Sequence, residues 1–242
     1  MDSPLVVPKF SLQVENGTLY QHFQHGVNYW DASETEVRVG LTDRTEFQMF
    51  VPNFVLLHTA PTTTAVLTNT NPESVQIQTK SALTQAGVSD LQEIGIKHQF
   101  GPYFKDLNVS VIAGVTPPTG ARFISGSGTQ PVFRMPWTKQ LTKNWSCGGM
   151  QSYVLLNSGA SSQYQNFNLI GRNIGSRTFV FAEYAGFYTR HSLPNNIAHF
   201  GVVRKLNRDD QIDLQFGFGL NRAAPAAFVG LGYSHRFDKW PL

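Results

Sequence analysis

Between positions 211 and 221 the chain alternates strictly, with Ile212, Leu214, Phe216, Phe218 and Leu220 set against Gln211, Asp213, Gln215, Gly217, Gly219 and Asn221. A period of two puts the two sets on opposite faces of an extended strand, one oily and one wet. The pattern returns at 226–237, where Val229, Leu231, Tyr233 and Phe237 oppose Gly230, Gly232, Ser234 and Arg236. Leu107, Val109, Val111, Ala113 and Val115 likewise oppose Asn108, Ser110, Ile112 and Gly114, and Ile94, Ile96, His98 and Phe100 oppose Glu93, Gly95, Lys97 and Gln99. Shorter stretches at 10–15, 34–39 and 46–51 and longer ones at 131–141, 145–156, 163–174, 177–188 and 197–206 bring the predicted strands to twelve. In 177–188 Glu183 shares a face with Phe179, Phe181, Ala185 and Phe187, so periodicity leaves the wet face of that strand open. Pro136 lacks the N–H that a central ladder needs and predicts a bulge or a local break.

The connections alternate in length. Tight turns rich in Gly, Asn, Asp or Lys fall at 41–44, 100–106, 142–144, 173–176 and 207–210. Between them lie a Thr-, Asn- and Pro-rich link over 57–88, one at 116–130 containing SGSG, and one at 189–196. Tight turns on one rim and longer loops on the other are the pattern of outer-membrane barrels. The predicted fold is therefore all-β: an antiparallel up-and-down transmembrane β-barrel of about 12 strands, with short periplasmic turns and longer extracellular loops. It forms a single domain over 1–242, with the barrel from about 9 to 237 and the longest loop at 57–88. An even strand count puts both termini on the periplasmic rim. A soluble β-sandwich is the rival; it would cover the oily faces with a second sheet and has no reason to confine long loops to one rim.

Composition narrows the choice. The 242 residues are 41% hydrophobic and 14% charged, enough for one large folded unit and too few charges for disorder or a helical-bundle surface. No apolar run approaches the roughly 18–20 residues of a membrane helix, so a membrane reading requires a closed barrel. The start, MDSPLVVPKF, has neither a basic n-region nor an apolar h-region. Export of such a barrel implies a processed chain or a different start. The net charge of +3 comes from scattered basic residues, which excludes a nucleic-acid partner, and the lone Cys147 excludes an intramolecular disulfide.

If the oily faces point outward, Glu36, Arg38, Glu46, Glu93, Lys97, Asp213 and Arg236 line the lumen, joined by Glu183 and Lys205. Opposite charges meeting across a narrow lumen brace the barrel; in a wider one they leave a polar path for solute. The link at 57–88 could fold inward as a plug. Tyr103, Phe104, Trp137, Trp145, Phe179 and Phe237 fall near the tight-turn ends, where an interfacial aromatic girdle is expected.

No catalytic residue, metal or cofactor is expected. His22 and His25 have no carboxylate or Cys at ligand spacing and fit a solvated loop. Gly217, Gly219, Gly230 and Gly232 recur at period two inside strands with no helix following, which is wrong for a phosphate cradle. His191 and Ser192 are adjacent, and on a strand they would face opposite ways.

Three stretches carry a family likeness: YWDASETEVRVGLTDRTEFQMFVP at 29–52, SDLQEIGIKHQF at 89–100 and QIDLQFGFGLNRAAPAAFVGLGYSHRF at 211–237. Over most of residues 10–237 the chain resembles the outer-membrane transporters of the meta-pathway phenol-degradation family. The resemblance implies a twelve-stranded barrel in the bacterial outer membrane that passes small, hydrophobic or aromatic solutes passively and without a cofactor. Its partners would be outer-membrane lipid, the barrel-assembly machinery during biogenesis and a small-molecule solute. The alternative within the same fold is a barrel that does not transport, either structural or a lipid-modifying enzyme. Chains of this family usually stop on the last aromatic, whereas here 238–242 follow Phe237; the assembly signal then falls to Phe237 internally or to Leu242.

Overall fold

The computed structural model describes residues 1–67, 75–80, 82–104, 106–122, 124–126 and 128–238. Its strands are β1 (Leu12–Phe23), β2 (Val27–Gly40), β3 (Thr45–Val51), β4 (Phe54–Thr59), β5 (Thr62–Leu67), β6 (Val75–Lys80), β7 (Leu83–Val88) and β8 (Glu93–Tyr103). They continue as β9 (Leu107–Thr116), β10 (Gln130–Gln140), β11 (Trp145–Leu156), β12 (Ser161–Ile174), β13 (Thr178–Thr189), β14 (Asn195–Lys205), β15 (Asp210–Gly219) and β16 (Ala227–Phe237). All pairings are antiparallel, and β1 is bonded on one side to β2 and on the other to β16, so the sheet closes on itself. The main sheet is a barrel of twelve staves, because β3 with β4 and β8 with β7 each make one interrupted stave. Among the described residues there is no α-helix.

Alternation decides which side each residue faces. Ile212, Leu214, Phe216 and Phe218 point outward, Phe216 with 54% of its surface open, and so do Val229, Leu231 and Tyr233 of the next stave. Such a continuous oily exterior is stable only in a medium that does not penalise it, and the lipid bilayer is that medium. The interior is the reverse. Its fully buried side chains include Lys97, Gln48, Glu46, Glu93 and Ser110. A small apolar cluster of Met150, Phe167 and Ala185, with Phe187 and Ile197 against it, forms one hydrophobic patch of the lumen wall.

The first staves depart from the predicted pattern. β1 continues past 15, where the predicted strand stops, and the chain reverses only at a single 3-10 turn over Gln24–Gly26. In β2 one extra residue, Ser33, sits at φ 61° opposite a register shift at Gly17/Thr18. This bulge resets the parity of the strand, so that Asp31 before it and Glu34, Glu36 and Arg38 after it share the inner face. Phe10, predicted as the first outward strand residue, precedes β1 in a left-handed conformation at φ 61°.

The stretch 57–88 is largely strand. Leu57–Thr59 belong to β4, which pairs with β7, and β5 pairs with β6 as a further hairpin; residues 68–74 and 81 lie outside the described residues. Pro52 interrupts the third stave and 89–92 the fourth. The gap is sealed by the Asn53 amide donating to Ser89 Oγ (2.8 Å) and the Ser89 amide donating to the Asn53 carbonyl (2.8 Å). At Pro136 the result is a break without a bulge: the ladder to β9 lapses at Met135 and Pro136 and resumes at Trp137 in unchanged register.

Candidate functional site

The lumen is built from the inward positions of the staves. In β3, Glu46 and Gln48 face inward; in β2, Glu36 and Arg38; in β8, Glu93 and Lys97. Register sets Glu46 directly opposite Lys97, and Arg38 opposite Gln48. Glu46 is consequently the hub of a charged network. Its Oε1 lies 2.9 Å from Lys97 Nζ, and Arg38 donates to it from Nε (2.9 Å) and to Oε2 from Nη2 (3.1 Å). Lys97 and Glu46 both have 0% exposure. A second link joins it from β10: Arg134 Nη2 lies 2.8 Å from Glu93, whose other oxygen accepts from Gln48 Nε2 at 3.0 Å.

The N-terminal segment occupies the lumen, and the plug expected at 57–88 lies in part outside the described residues. From β1 at the turn rim it runs back inside the barrel. The Val7 amide donates to Glu46 Oε2 (2.5 Å), the Val6 amide to Gln99 (3.2 Å), Arg38 Nη2 donates to the Leu5 carbonyl (3.0 Å), and Arg134 Nη1 to Asp2 (3.1 Å). Gly40 is required for this path, since a Cβ there would collide with the Pro8 carbonyl. Further in, the Met1 nitrogen lies 4.0 Å from Glu183, which also contacts His199 Nδ1 at 3.1 Å. Two cavities remain beside the segment. One of about 400 Å³ opens toward the loops, and one of about 470 Å³ toward the turns.

Glu36, Arg38, Glu46, Glu93, Lys97 and Glu183 are thus buried within the barrel, Asp213 lines the loop-side cavity, and Arg236 lines the turn-side one. Arg236 is held at that mouth by Asp209 (3.3 Å) and Asp238 (2.9 Å), and Lys205 is exposed at the end of β14. Alternation alone could have added Glu15, Glu34, Gln48 and Arg134, which sit on the wet faces of predicted strands. Asp2 has no such signal, because its segment is not a strand.

Of the predicted girdle, Tyr103, Trp145 and Phe237 are exposed near the turn rim, Phe104 lies in the turn itself at 90% exposure, and the Trp137 ring covers Gly149 on the outer wall. Phe179 does not belong with them. It stacks on Phe181, whose ring meets His199 edge-on, and it fills the space above Gly171 on the lumen face. Its parity with Glu183 decides this. A second aromatic belt lies toward the loops: Tyr20, Trp30, Tyr153, Tyr164 and Tyr188 face outward, and several satisfy their polar ends locally, as Trp30 Nε1 does with Thr18 (2.7 Å).

At the loop rim Asp90 pins the 117–129 connection. It accepts from Ser125 Oγ (2.6 Å) and from the Gly120 (2.7 Å) and Gly126 (3.0 Å) amides. Burial pushes its carboxyl up, but the hydrogen bonds from Ser125, Gly126 and Gly120 prevail and hold it below the usual carboxylate range. The sign follows from the lowered value: the anchoring is complete above the ordinary carboxyl range and is lost as pH falls through the lowered one. Asp90→Ala should therefore free this loop even at neutral pH, at a cost of about 1.5–3 kcal/mol. Trypsin should then cut first after the exposed Arg122, and an unaltered digestion pattern would refute the anchor.

Elsewhere, His191 and Ser192 are exposed in a turn after β13, and His22 Nδ1 contacts Asn28 (2.7 Å) within the β1–β2 hairpin, whose turn contains His25. Among the described residues no group of three or more metal-binding side chains occurs.

Known proteins match at two levels. The family described as "Putative MetA-pathway of phenol degradation" matches residues 2–237. Among solved structures, an outer membrane channel from Pseudomonas putida F1 superposes with a TM-score of 0.66 at 12% identity, covering 98% of this chain and 100% of that one. The NanC porin gives 0.55 at 10% identity (93% and 98% covered). The KdgM porin, solved with disordered oligogalacturonate, gives 0.56 at 7% identity (94% and 99% covered). At such identities the likeness is one of fold. No curated protein matches the sequence.

Proposed function

The chain belongs to the family described as that MetA pathway of phenol degradation, and we propose that it is a passive channel of the bacterial outer membrane for small solutes, aromatic ones among them. The observation that carries this reading is the lumen itself: a closed polar interior with a cavity on either side of the N-terminal segment, inside an exterior fit for lipid. A concentration gradient is the sole driving force, and no cofactor takes part. Lipid surrounds the oily wall, and the barrel-assembly machinery would insert it. The family's name supports an aromatic solute, and so does the apolar patch of Met150 and Phe167 along the loop-side cavity.

The test is single-channel recording of the refolded protein in a planar bilayer. Discrete current steps are expected, and Asp213→Lys, which reverses a charge on the cavity wall, should alter their size or ion preference. Protein that inserts without conducting would favour the second reading, a structural barrel, for which the occupied lumen speaks. Steps identical in the Asp213→Lys protein would remove Asp213 from the path.

A further inference from the structure

The β1–β2 pairing places Glu15 directly opposite Glu36. Like charges facing each other across a ladder repel, and here both carboxylates point into the lumen. Glu15 is served by Arg38 Nη1 (3.1 Å) and Gln13 Nε2 (2.8 Å). Glu36 is not. It is only 8% exposed, it makes no ion pair among the described residues, and its buried Oε1 meets no hydrogen-bond donor there. A desolvated carboxylate oxygen without a donor is costly, and the cost is relieved by a cation in the adjoining space.

The adjoining space is the passage. Glu15 and Glu36 line both the loop-side and the turn-side cavity, so they stand where the two meet beside the N-terminal segment. On the loop side Glu34 and Asp213 add two further carboxylates, likewise without an ion pair among the described residues. The cationic side chain lining that cavity, Arg134, is already held by Glu93 and Asp2. Phe50 stands beside Glu36 as its cross-strand neighbour on β3, and across from the acids lie Met150 and Phe167. The cavity therefore offers, on one wall, three carboxyl groups that lack an ion-pair partner among the described residues, and an apolar surface on the other.

We propose that the facing Glu15 and Glu36 carboxylates form a binding site for a small organic ammonium ion, whose N–H donors they accept while Phe50, Met150 and Phe167 cover its apolar body. The site's part in uptake rests on the channel reading above, but its occupancy does not. The test is a fluorine NMR titration of the detergent-solubilised full chain with 4-fluorobenzylammonium, and with 4-fluorobenzyl alcohol as the neutral probe. The ammonium should bind saturably and the alcohol should not. Glu36→Gln should weaken binding at least about fivefold, as expected when one charged partner of a buried contact is removed. Since that substitution removes a repulsive charge, the barrel should fold; Glu15→Gln, on the less buried partner, gives a second reading with the same expected direction. Equal binding of the alcohol, or a loss smaller than about fivefold in both variants, overturns the site. The current recordings separate the two ideas: ammonium binding without current defeats the channel alone, and current without ammonium binding defeats this site alone.

Discussion

Deleting residues 2–8 should raise single-channel conductance several-fold. The ladder bonds of β1 begin at Leu12, which pairs with Phe237 and Val39, so the shortened chain keeps every barrel hydrogen bond. What it loses is the strand-free segment that fills the middle of the lumen, together with the contacts of Val6, Val7 and Asp2 to Gln99, Glu46 and Arg134. The two cavities would then merge into one channel whose width is set by the staves alone. Retained heat-dependent gel mobility would establish that the barrel is intact. With an intact barrel, an unchanged current would mean that ions never pass this segment.

Glu46→Ala should be the most damaging single substitution in the barrel wall. It strands Lys97 without its carboxylate, leaves Arg38 with Glu15 alone and the Val7 amide without its acceptor, with Lys97, Arg38 and Val7 all buried. Removing one partner of a buried ion pair costs about 3–5 kcal/mol, most of it from the uncompensated charge left behind. The double substitution Glu46→Leu with Lys97→Met should recover part of that loss, because an apolar pair of similar volume carries no such charge. Urea unfolding in micelles, followed by tryptophan fluorescence, measures both. A midpoint for Glu46→Ala equal to that of the unaltered protein would show that water reaches the network after all.

How much of this was legible depends on which physical rule governs each segment. Where one face meets lipid and the other the lumen, as in β15 and β16, period-two alternation is the direct imprint of the environment, and the outward set from Ile212 to Phe218 is readable at once. The alternation of 93–99 likewise places Glu93 and Lys97 on the wet face, together with Glu36, Arg38 and Glu46 from their own strands. Parity fails where the backbone adds a residue. The Ser33 bulge makes Asp31 and Glu34 inward neighbours although one is odd and the other even. Composition misleads over 57–88, where the Thr-, Asn- and Pro-rich sequence reads as a loop although β4 pairs with β7 and β5 with β6. Phe179 shows the opposite error: an aromatic near a turn suggests the interface, yet it shares parity with Glu183 and faces inward. The N-terminal segment could not be read. Its backbone bonds go to side chains such as Gln99 and Glu46 that are distant in sequence, and nothing periodic records such partners.

The tethering of that segment to β1 has a consequence for the order of assembly. The β1–β16 seam joins residues near opposite ends of the chain, as Leu12 with Phe237, and contacts so distant in sequence carry the largest loop-closure entropy and form late. The segment is attached to one lip of this seam. Until the lips meet, its contacts with Glu46 on β3 and Arg134 on β10 must compete with open water. Closing the seam therefore completes the wall and drains its contents in one kinetic event. A nascent chain held open at this seam would present Glu46, Lys97 and Arg134 still hydrated, and hydrogen exchange at the Val6 and Val7 amides would report the moment of closure.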